Sequence, residues 1–235
     1  HFYNIDREEL HKDLVEIKWD AKAAEKGGFE HFMLKEIYEQ PKAVADTIHP
    51  RIKDGKIVIE ELGLSDEDLR KISRIQMVAC GSAYHVCAAA KYVLEKLSGI
   101  PVDIDLASEF RYRNPILSEH TLVVIVSQSG ETADSLAALR ESKKRGFPVL
   151  GIVNVVGSSI AREADSVFYT WAGPEISVAT TKAYSTQLAA IYLIGILFGE
   201  VRECISREEA DHYIQELLKL PEKIQRILDE KERIQ

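Results

Sequence analysis

Small polar side chains and a glycine follow two of the apolar runs in this 235-residue sequence. SQSGET (127–132) comes directly after the apolar run 122–126, and CGSA (80–83) comes directly after 75–79. A helix-length segment begins at the end of each loop. The free N–H groups of a helix amino terminus, together with neutral Ser, Thr and Gln donors, suit a phosphate. The pattern therefore predicts an anion site.

A plainer interpretation competes with this one, because Ser and Thr at helix starts are usually caps and a Ser-Gly turn is often only a turn. Four side-chain donors within six residues favour ligand binding for 127–132. For 80–83, ligand binding and a purely structural turn are equally supported. Cys80 fits a small buried residue at a strand end better than a nucleophile, since no His can be assigned to it. His85 likewise fits a surface or packing residue better than a base.

A third cluster, EISVATTK (175–182), follows the last apolar β-type run and opens a helix. It could close the same crevice, or it could be an ordinary capped loop with Lys182 as a solvated charge, and the two interpretations are equally supported. Neither GxGxxG nor GxxxxGK[ST] occurs, so a small phosphorylated ligand fits better than a nucleotide. The three Cys and seven His match no metal-ligand spacing, and neither a metal nor a cofactor is expected.

Short β-branched runs alternate with helix-length segments, which is typical of a parallel sheet covered by helices on both faces. The spacing predicts a doubly wound, three-layer αβα lobe with a five-stranded parallel sheet. In the strand order 2-1-3-4-5, the carboxyl ends of the first and third strands flank the switch-point crevice. The predicted strands are 75–79, 102–106, 122–126, 149–153 and 167–171, and the predicted helices between and after them are 83–97, 132–145, 158–164 and 180–197.

The flanking segments read as additional helices around this lobe. Residues 1–28 are polar and resemble an arm, a helix follows from residue 30, and Pro41 suits the start of a second helix that ends at Ile48. Capping boxes are predicted at Ser65–Asp68 and at Ser206–Glu209. Beyond them, Pro221 breaks the pattern before a last amphipathic helix that reaches about residue 232.

Composition excludes several classes of protein. With 30 Lys and Arg against 38 Asp and Glu, the net charge is −8, and no long basic cluster occurs, which argues against nucleic-acid and acidic-membrane partners. The longest apolar stretch, 188–199, is shorter than the roughly 20 residues of a membrane span and predicts a buried core helix. The charged amino terminus lacks a secretory signal, so a cytoplasmic location is expected.

Four segments closely resemble the sugar isomerase (SIS) lobe of the glucosamine-6-phosphate synthases, the isomerizing glutamine:fructose-6-phosphate aminotransferases. They are ACGSAYH (79–85), SEFRYR (108–113), SQSGETADSLAALR (127–140) and EISVATTKAYSTQ (175–187). HFMLKEIYEQP (31–41) resembles the segment that joins the glutaminase domain of these enzymes to their isomerase half. The resemblance implies transfer of glutamine-derived ammonia to open-chain fructose 6-phosphate, with a proton shift between the first two sugar carbons.

The resemblance also implies site residues. Ser127, Gln128, Ser129 and Thr132 match sugar-phosphate contacts, and the positions lining the sugar are Cys80, Gly81, Ser82 and Val178. Ala83 departs from the pattern, since many relatives have Thr-Ser where this chain has Ser82-Ala83. The ligand is expected to be fructose 6-phosphate, glucose 6-phosphate or glucosamine 6-phosphate.

The catalytic residues cannot be assigned from this sequence, because the family places them in the glutaminase domain and in a second SIS lobe. We therefore expect an interdomain linker or arm with the first helix (1–45), one SIS lobe (46–220) and a helix leading to the second lobe (221–235). Such a fragment is expected to form a homodimer and to be inactive alone. Two alternatives remain open: a stand-alone phosphosugar-binding regulatory module, and a self-contained phosphosugar isomerase with Glu175 or His85 as its acid/base.

Overall fold

The computed structural model describes residues 2–10 and 24–233. The predicted arm includes residues 11–23, which lie outside that description. Two short antiparallel pairs occur, the first of β1 (Phe2–Tyr3) with β2 (Glu9–Leu10). The second pair is β3 (Ile52–Lys53) with β4 (Lys56–Ile57). Helices in this amino-terminal part are α1 (Phe32–Tyr38), α2 (Gln40–Ile48) and α3 (Asp66–Lys71), with 3₁₀ turns at His49–Arg51 and Glu60–Leu62.

A parallel sheet lies at the centre of the molecule. Its strands are β5 (Arg74–Ala79), β6 (Val102–Leu106), β7 (Thr121–Ser127), β8 (Val149–Val153) and β9 (Ser166–Tyr169). The spatial order is β6-β5-β7-β8-β9, and every neighbouring pair is parallel. The predicted order 2-1-3-4-5 is confirmed.

Helices cover both faces of this sheet. They are α4 (Gly81–Ser98), α5 (Ala107–Arg113), α6 (Ala133–Lys144), α7 (Ser159–Glu163), α8 (Lys182–Val201), α9 (Arg207–Leu218) and α10 (Leu220–Asp229), followed by a 3₁₀ turn at Lys231–Arg233. Alternate residues of each strand face opposite layers, as the two-residue period of a strand requires. Val124 packs in the core shared with α2, α4, α8 and α9, while Ile125 packs in the core under α5, α6 and α7. The predicted three-layer architecture is confirmed.

Several predicted boundaries move by a few residues. The predicted fifth strand extends to residue 171, whereas β9 ends at Tyr169, and Trp171 adopts a left-handed φ of 54° that an extended strand does not permit. The last core helix starts at Lys182 rather than at 180. Both predicted capping boxes form. Pro41 is the second residue of α2, and Pro221 is the second residue of α10.

The apolar helix α8 is long and apolar enough to cross a membrane by length and composition alone, but 61% of its most apolar window is buried inside the protein. It packs most closely against α4, where Gly195 brings the two helices together: a Cβ at that position would lie 3.2 Å from the side chain of Leu97. This arrangement agrees with the core helix predicted for residues 188–199.

Candidate functional site

A cleft of about 190 Å³ lies at the carboxyl ends of β5 and β7. These strands are neighbours, and the helices that follow them, α4 and α6, pack on opposite faces of the sheet. The cleft therefore occupies the switch point of the doubly wound fold, where such folds bind their ligands. Its walls consist of Cys80, Ser82, Ala83, Val126, Ser127, Gln128, Ser129, Thr132, Glu175, Ser177, Val178, Thr180 and Gln187.

The structure brings the predicted site residues together, with Gly81 as the exception. Cys80, Ser82, Val178 and all four predicted phosphate contacts line the cleft. Gly81 lies between two lining residues and begins α4 with a left-handed φ of 55°. Gly81 turns the backbone at this point. A residue with a Cβ adopts the left-handed conformation only at a cost in free energy.

The loop 127–132, which we call the cradle, is held by hydrogen bonds among its own atoms. The Gly130 N–H donates to Ser127 Oγ (3.1 Å), and the Glu131 N–H donates to Ser129 Oγ (3.2 Å). Ser127 Oγ also lies 3.2 Å from Thr132 Oγ1. A hydroxyl that accepts an N–H becomes a stronger donor to a third group. The cradle can therefore present polarised O–H donors to an anion.

The alternative interpretation, that these hydroxyls are helix caps, fails at Thr132. Thr132 is the N-cap residue of α6, yet its side chain makes no capping hydrogen bond. Cys80 is the N-cap of α4 and likewise makes none. Two helix amino termini thus open toward the cleft without side-chain caps, and their partial positive charges favour a bound anion.

Gly130 fixes the turn of the cradle. It has a φ of 66°, and a Cβ at this position would lie 2.0 Å from Ser158 Oγ. The Gly130 carbonyl accepts a hydrogen bond from the Ile160 N–H (3.0 Å), which attaches the cradle to the start of α7. Only glycine satisfies both the backbone conformation and this close approach.

Residues 173–181, which we call the wall, form the opposite side of the cleft. Glu175 holds the carboxyl-terminal end of the wall, where α8 begins. Its carboxylate accepts hydrogen bonds from the Thr181 and Ala183 N–H groups (2.9 and 3.1 Å) and from Thr180 Oγ1 (3.0 Å). The third cluster of the sequence thus combines both interpretations offered for it, since it lines the cleft and also caps α8. With these donors engaged, Glu175 serves as a cap.

Lys182 is buried, so its interpretation as a solvated charge is wrong. Its side chain is 3% exposed, and Nζ lies 2.6 Å from Glu39 Oε2. The reason is a long-range contact: the helical pair α1–α2 covers the start of α8 and supplies the counter-charge. A lysine in an EISVATTK pattern gives no local signal of that contact.

Asn154, which the sequence interpretation missed, joins the cradle to the wall. Its backbone N–H donates to the Gln128 carbonyl (3.1 Å). Its buried side chain donates to the Gly173 carbonyl (2.7 Å) and accepts from the Ala172 N–H (2.8 Å). A polar residue directly after an apolar strand was the only available signal.

The SEFRYR segment supports the cradle from outside. It forms most of α5, a helix absent from the predicted elements, and the Phe110 side chain of this helix is buried. Arg111 Nη1 donates to Asp134 Oδ1 (2.7 Å), which ties α5 to the first turn of α6. The hydrogen bond from Arg111 to Asp134 raises the pKa of the arginine.

The structure agrees with the interpretation of His85 as a surface residue rather than a base. His85 is exposed on α4 beside the Tyr84 ring (5.6 Å between centroids) and does not line the cleft. Burial raises the pKa of the Cys87 thiol to about 12. Cys80 follows the end of β5 and is half-buried rather than buried, since it lines the cleft, and its Sγ lies 4.0 Å from Ser135 Oγ.

Among the described residues that line the cleft, Glu175 is the only Asp or Glu, and its carboxylate caps the start of α8. No Lys or Arg occurs among the described residues that line the cleft, so attraction for an anion comes from helix termini and hydroxyl dipoles. Within residues 2–10 and 24–233, no group of three or more His, Cys, Asp or Glu side chains is arranged to hold a metal ion.

Comparison with known proteins gives three agreeing results. The family model described as "SIS domain" matches residues 68–197. Glutamine–fructose-6-phosphate aminotransferase [isomerizing] of Caldanaerobacter subterraneus subsp. tengcongensis is 54% identical over 235 residues, which is the whole of this chain and 39% of that protein. The corresponding protein of Clostridium acetobutylicum is 52% identical over the same length and share.

A solved structure agrees with these matches. The C-terminal domain of glucosamine-fructose-6-phosphate aminotransferase from Francisella tularensis superposes with a TM-score of 0.85 at 40% identity, covering 90% of this chain and 59% of that one. The resemblance inferred from the sequence motifs is confirmed. The chain spans 39% of the length of the two aminotransferases named above. On the match of more than half of its residues to the family model, the chain belongs to the SIS domain family.

Proposed function

We propose that this chain is the sugar-phosphate-binding isomerase lobe of a glutamine–fructose-6-phosphate aminotransferase (isomerizing). The observation that carries the proposal is the cradle: a loop of polarised hydroxyls at the amino terminus of α6, opening into the switch-point cleft. Its neutral donors match a phosphate dianion. The sequence identity to proteins of that name over the whole chain supports fructose 6-phosphate as the ligand.

In this proposal the phosphate binds between the two helix amino termini. Ser127, Ser129 and Thr132 donate O–H groups to its oxygens, and Gln128 adds an amide donor. The sugar then extends toward the other side of the cleft, along Cys80, Gly81, Ser82 and Val178. Because Ala83 carries no hydroxyl, only its backbone N–H can serve as a donor there.

The same proposal assigns the chemistry of the reaction to other parts of such an enzyme. Isomerisation needs a general base at the first two sugar carbons. Glu175 is the one carboxylate among the described residues that line the cleft, and it already accepts three hydrogen bonds at the start of α8. We assign proton transfer to a second SIS lobe and ammonia release to a glutaminase domain. The proposed setting is a cytoplasmic homodimer without nucleic-acid or membrane partners.

Calorimetric titration tests the binding proposal. Fructose 6-phosphate and glucose 6-phosphate should bind and raise the melting temperature, whereas fructose and glucose should do so far less. Ser129→Ala should weaken binding by about 1–3 kcal/mol, because it removes one donor to a dianion. Ser118→Ala is the matched control, because Ser118 precedes the amino end of the same strand that the cradle follows.

The outcomes separate the proposal from its alternatives. Equal binding of phosphorylated and plain sugars, or unchanged affinity in Ser129→Ala, would move the site elsewhere. A regulatory module would bind sugar phosphate with no catalysis in any larger protein that contains it.

A product assay tests the assignment of the chemistry. Residues 1–235 alone should make no glucosamine 6-phosphate from fructose 6-phosphate, with either glutamine or ammonia. Each missing acid/base group removes a factor of about 10² to 10⁴ in rate, so turnover should fall below detection. Robust synthesis with ammonia, or interconversion of sugar phosphates, would instead place an acid/base pair within this chain.

A further inference from the structure

The carboxylate of Glu36, in α1, is buried directly behind the wall of the cleft. Glu36 is 1% exposed. Its Oε1 accepts hydrogen bonds from the Ile176 N–H (2.6 Å) and the Ser177 N–H (3.2 Å), and its Oε2 accepts from Ser177 Oγ. Ser177 lines the cleft and directly precedes Val178. A side chain 140 residues away in sequence therefore sets the path of the wall backbone.

These hydrogen bonds make Glu36 and the wall mutually dependent. A buried carboxylate is costly unless hydrogen-bond donors or a cation compensate for its lost hydration. Among the ion pairs of the described residues, none involves Glu36. Its compensation comes from Ile176 and Ser177, so a wall that moved away would leave the charge without donors.

The neighbouring residues of the same segment hold the start of α8. Glu39 pairs with the buried Lys182 (2.6 Å), and Gln40 Oε1 accepts from Ser185 Oγ (2.5 Å). The α1–α2 segment thus contacts both the wall and the helix that follows it. The cradle is different, since its internal hydrogen bonds join residues at most five positions apart and none reaches α1.

We infer that Glu36 is a positioning residue for the sugar end of the cleft: its buried carboxylate fixes Ile176 and Ser177, and through them Val178. The inference rests on the proposed function, because it assigns the sugar to the wall and the phosphate to the cradle. Loss of Glu36 should therefore weaken binding of the sugar portion while leaving binding of the phosphate group unchanged.

The test compares two ligands, fructose 6-phosphate and inorganic phosphate, by calorimetric titration of the whole chain. Glu36→Leu removes all three acceptor contacts and should weaken fructose 6-phosphate binding about tenfold, a change typical of lost hydrogen bonds to a charged group. Glu36→Gln keeps one oxygen for the two N–H groups and should retain affinity within about threefold. The affinity for inorganic phosphate should be the same in all variants.

Two further variants control the experiment. Asp46→Asn removes an exposed carboxylate from α2, where Asp46 pairs with Lys42, and should change neither affinity. Ser177→Ala removes the hydroxyl, which is one of the three groups that donate to the Glu36 carboxylate. It should weaken fructose 6-phosphate binding about two- to threefold. This variant keeps the test valid if Glu36→Leu does not fold.

Each outcome bears on a different claim. If the wild-type chain binds neither fructose 6-phosphate nor phosphate, the proposed function fails. If the wild-type chain binds both, and both Glu36→Leu and Ser177→Ala bind fructose 6-phosphate as tightly as it does, the positioning role is overturned while the proposed function stands. Equal loss of both ligands in Glu36→Leu and Ser177→Ala would show a general structural role and would also overturn the inference.

Discussion

The two sides of the cleft are built in different ways. The hydroxyl groups of the cradle are held by hydrogen bonds within the loop itself, and its backbone is attached to Asn154 and to Ile160 at the start of α7. The wall depends on residues far away in the chain: Glu36 holds Ile176 and Ser177, while Asn154 holds Ala172 and Gly173. The difference indicates that the hydroxyl donors of the phosphate end are oriented mainly by their own loop, whereas the sugar end takes its shape from packing of the whole lobe.

The most disruptive change to this arrangement should be Gly130→Ala. The new Cβ would lie 2.0 Å from Ser158 Oγ, and the left-handed backbone at φ 66° costs about 1–2 kcal/mol for a residue with a Cβ. We expect a loss of about 3 kcal/mol in stability and at least about a hundredfold weaker binding of inorganic phosphate. Chemical denaturation and calorimetry measure the two effects.

Gly146→Ala is the matched control for this substitution. Gly146 also has a left-handed φ, of 82°, but a Cβ added there would meet no atom within 4 Å. This variant should lose stability without losing phosphate affinity. If Gly130→Ala bound phosphate as Gly146→Ala does, the close packing of the cradle against Ser158 would have no role in binding.

A smaller effect is expected from Asn154→Ala, which cuts the link between the two sides. Asn154 is 2% exposed, and its removal leaves the Gly173 carbonyl and the Ala172 N–H without their partners. Buried groups left unsatisfied in this way should cost about 2–3 kcal/mol. Fructose 6-phosphate binding should weaken about tenfold and inorganic phosphate binding by less, since Asn154 meets the cradle only through its backbone. If Asn154→Ala weakened binding of inorganic phosphate but not of fructose 6-phosphate, the assignment of the phosphate to the cradle and the sugar to the wall would be wrong.

The smallest effect should come from Glu131→Gln, which tests whether the charge of Glu131 stabilises the junction between the cradle and α7. Glu131 Oε1 accepts a hydrogen bond from the Ser159 N–H (2.7 Å), and this contact lowers the pKa of the exposed carboxyl below its ordinary value of 4.5. The charge therefore adds stability above about pH 4.5, and that stability is lost as the pH falls through the folded-state pKa.

The variant should show a slightly lower melting temperature at pH 7, and the difference from the wild type should shrink below about pH 4.5. Thermal denaturation at a series of pH values measures it. A difference that stayed constant down to about pH 3 would mean that the ionised carboxylate does not stabilise the junction between the cradle and α7.

Local pattern was sufficient to predict most of the sheet and the cradle. The apolar runs identify the inner strands β5, β7 and β8 because these are buried on both faces, and the order 2-1-3-4-5 follows from the doubly wound rule. The site residues from Ser127 to Thr132 could be found because the hydrogen bonds of their hydroxyl groups lie within one loop. The helix α5 was missed, since a short segment rich in arginine and aromatic residues has no distinct helical period.

The tertiary contacts that hold the wall and the start of α8 could not be predicted in the same way, and Lys182 shows why. Its burial depends on Glu39, 143 positions earlier in the chain, so no window of local sequence carries the information. Glu36 is a similar case, because a glutamate within HFMLKEIYEQP reads as an exposed helix residue until its tertiary partners are known. Trp171 also depends on tertiary context, since the strand ends where the backbone turns toward Asn154.

Crystals of the chain soaked with fructose 6-phosphate would show where the phosphate binds, because they locate the phosphorus atom. We expect phosphate oxygens about 3 Å from Ser127 Oγ, Ser129 Oγ and Thr132 Oγ1, with the sugar directed toward Val178. Another cavity, of about 570 Å³, lies at the amino ends of β5, β7 and β8 and is lined by Lys71, His120 and Arg145 among others. A phosphate bound in that cavity, with the cradle empty, would show that the cradle is not the phosphate site.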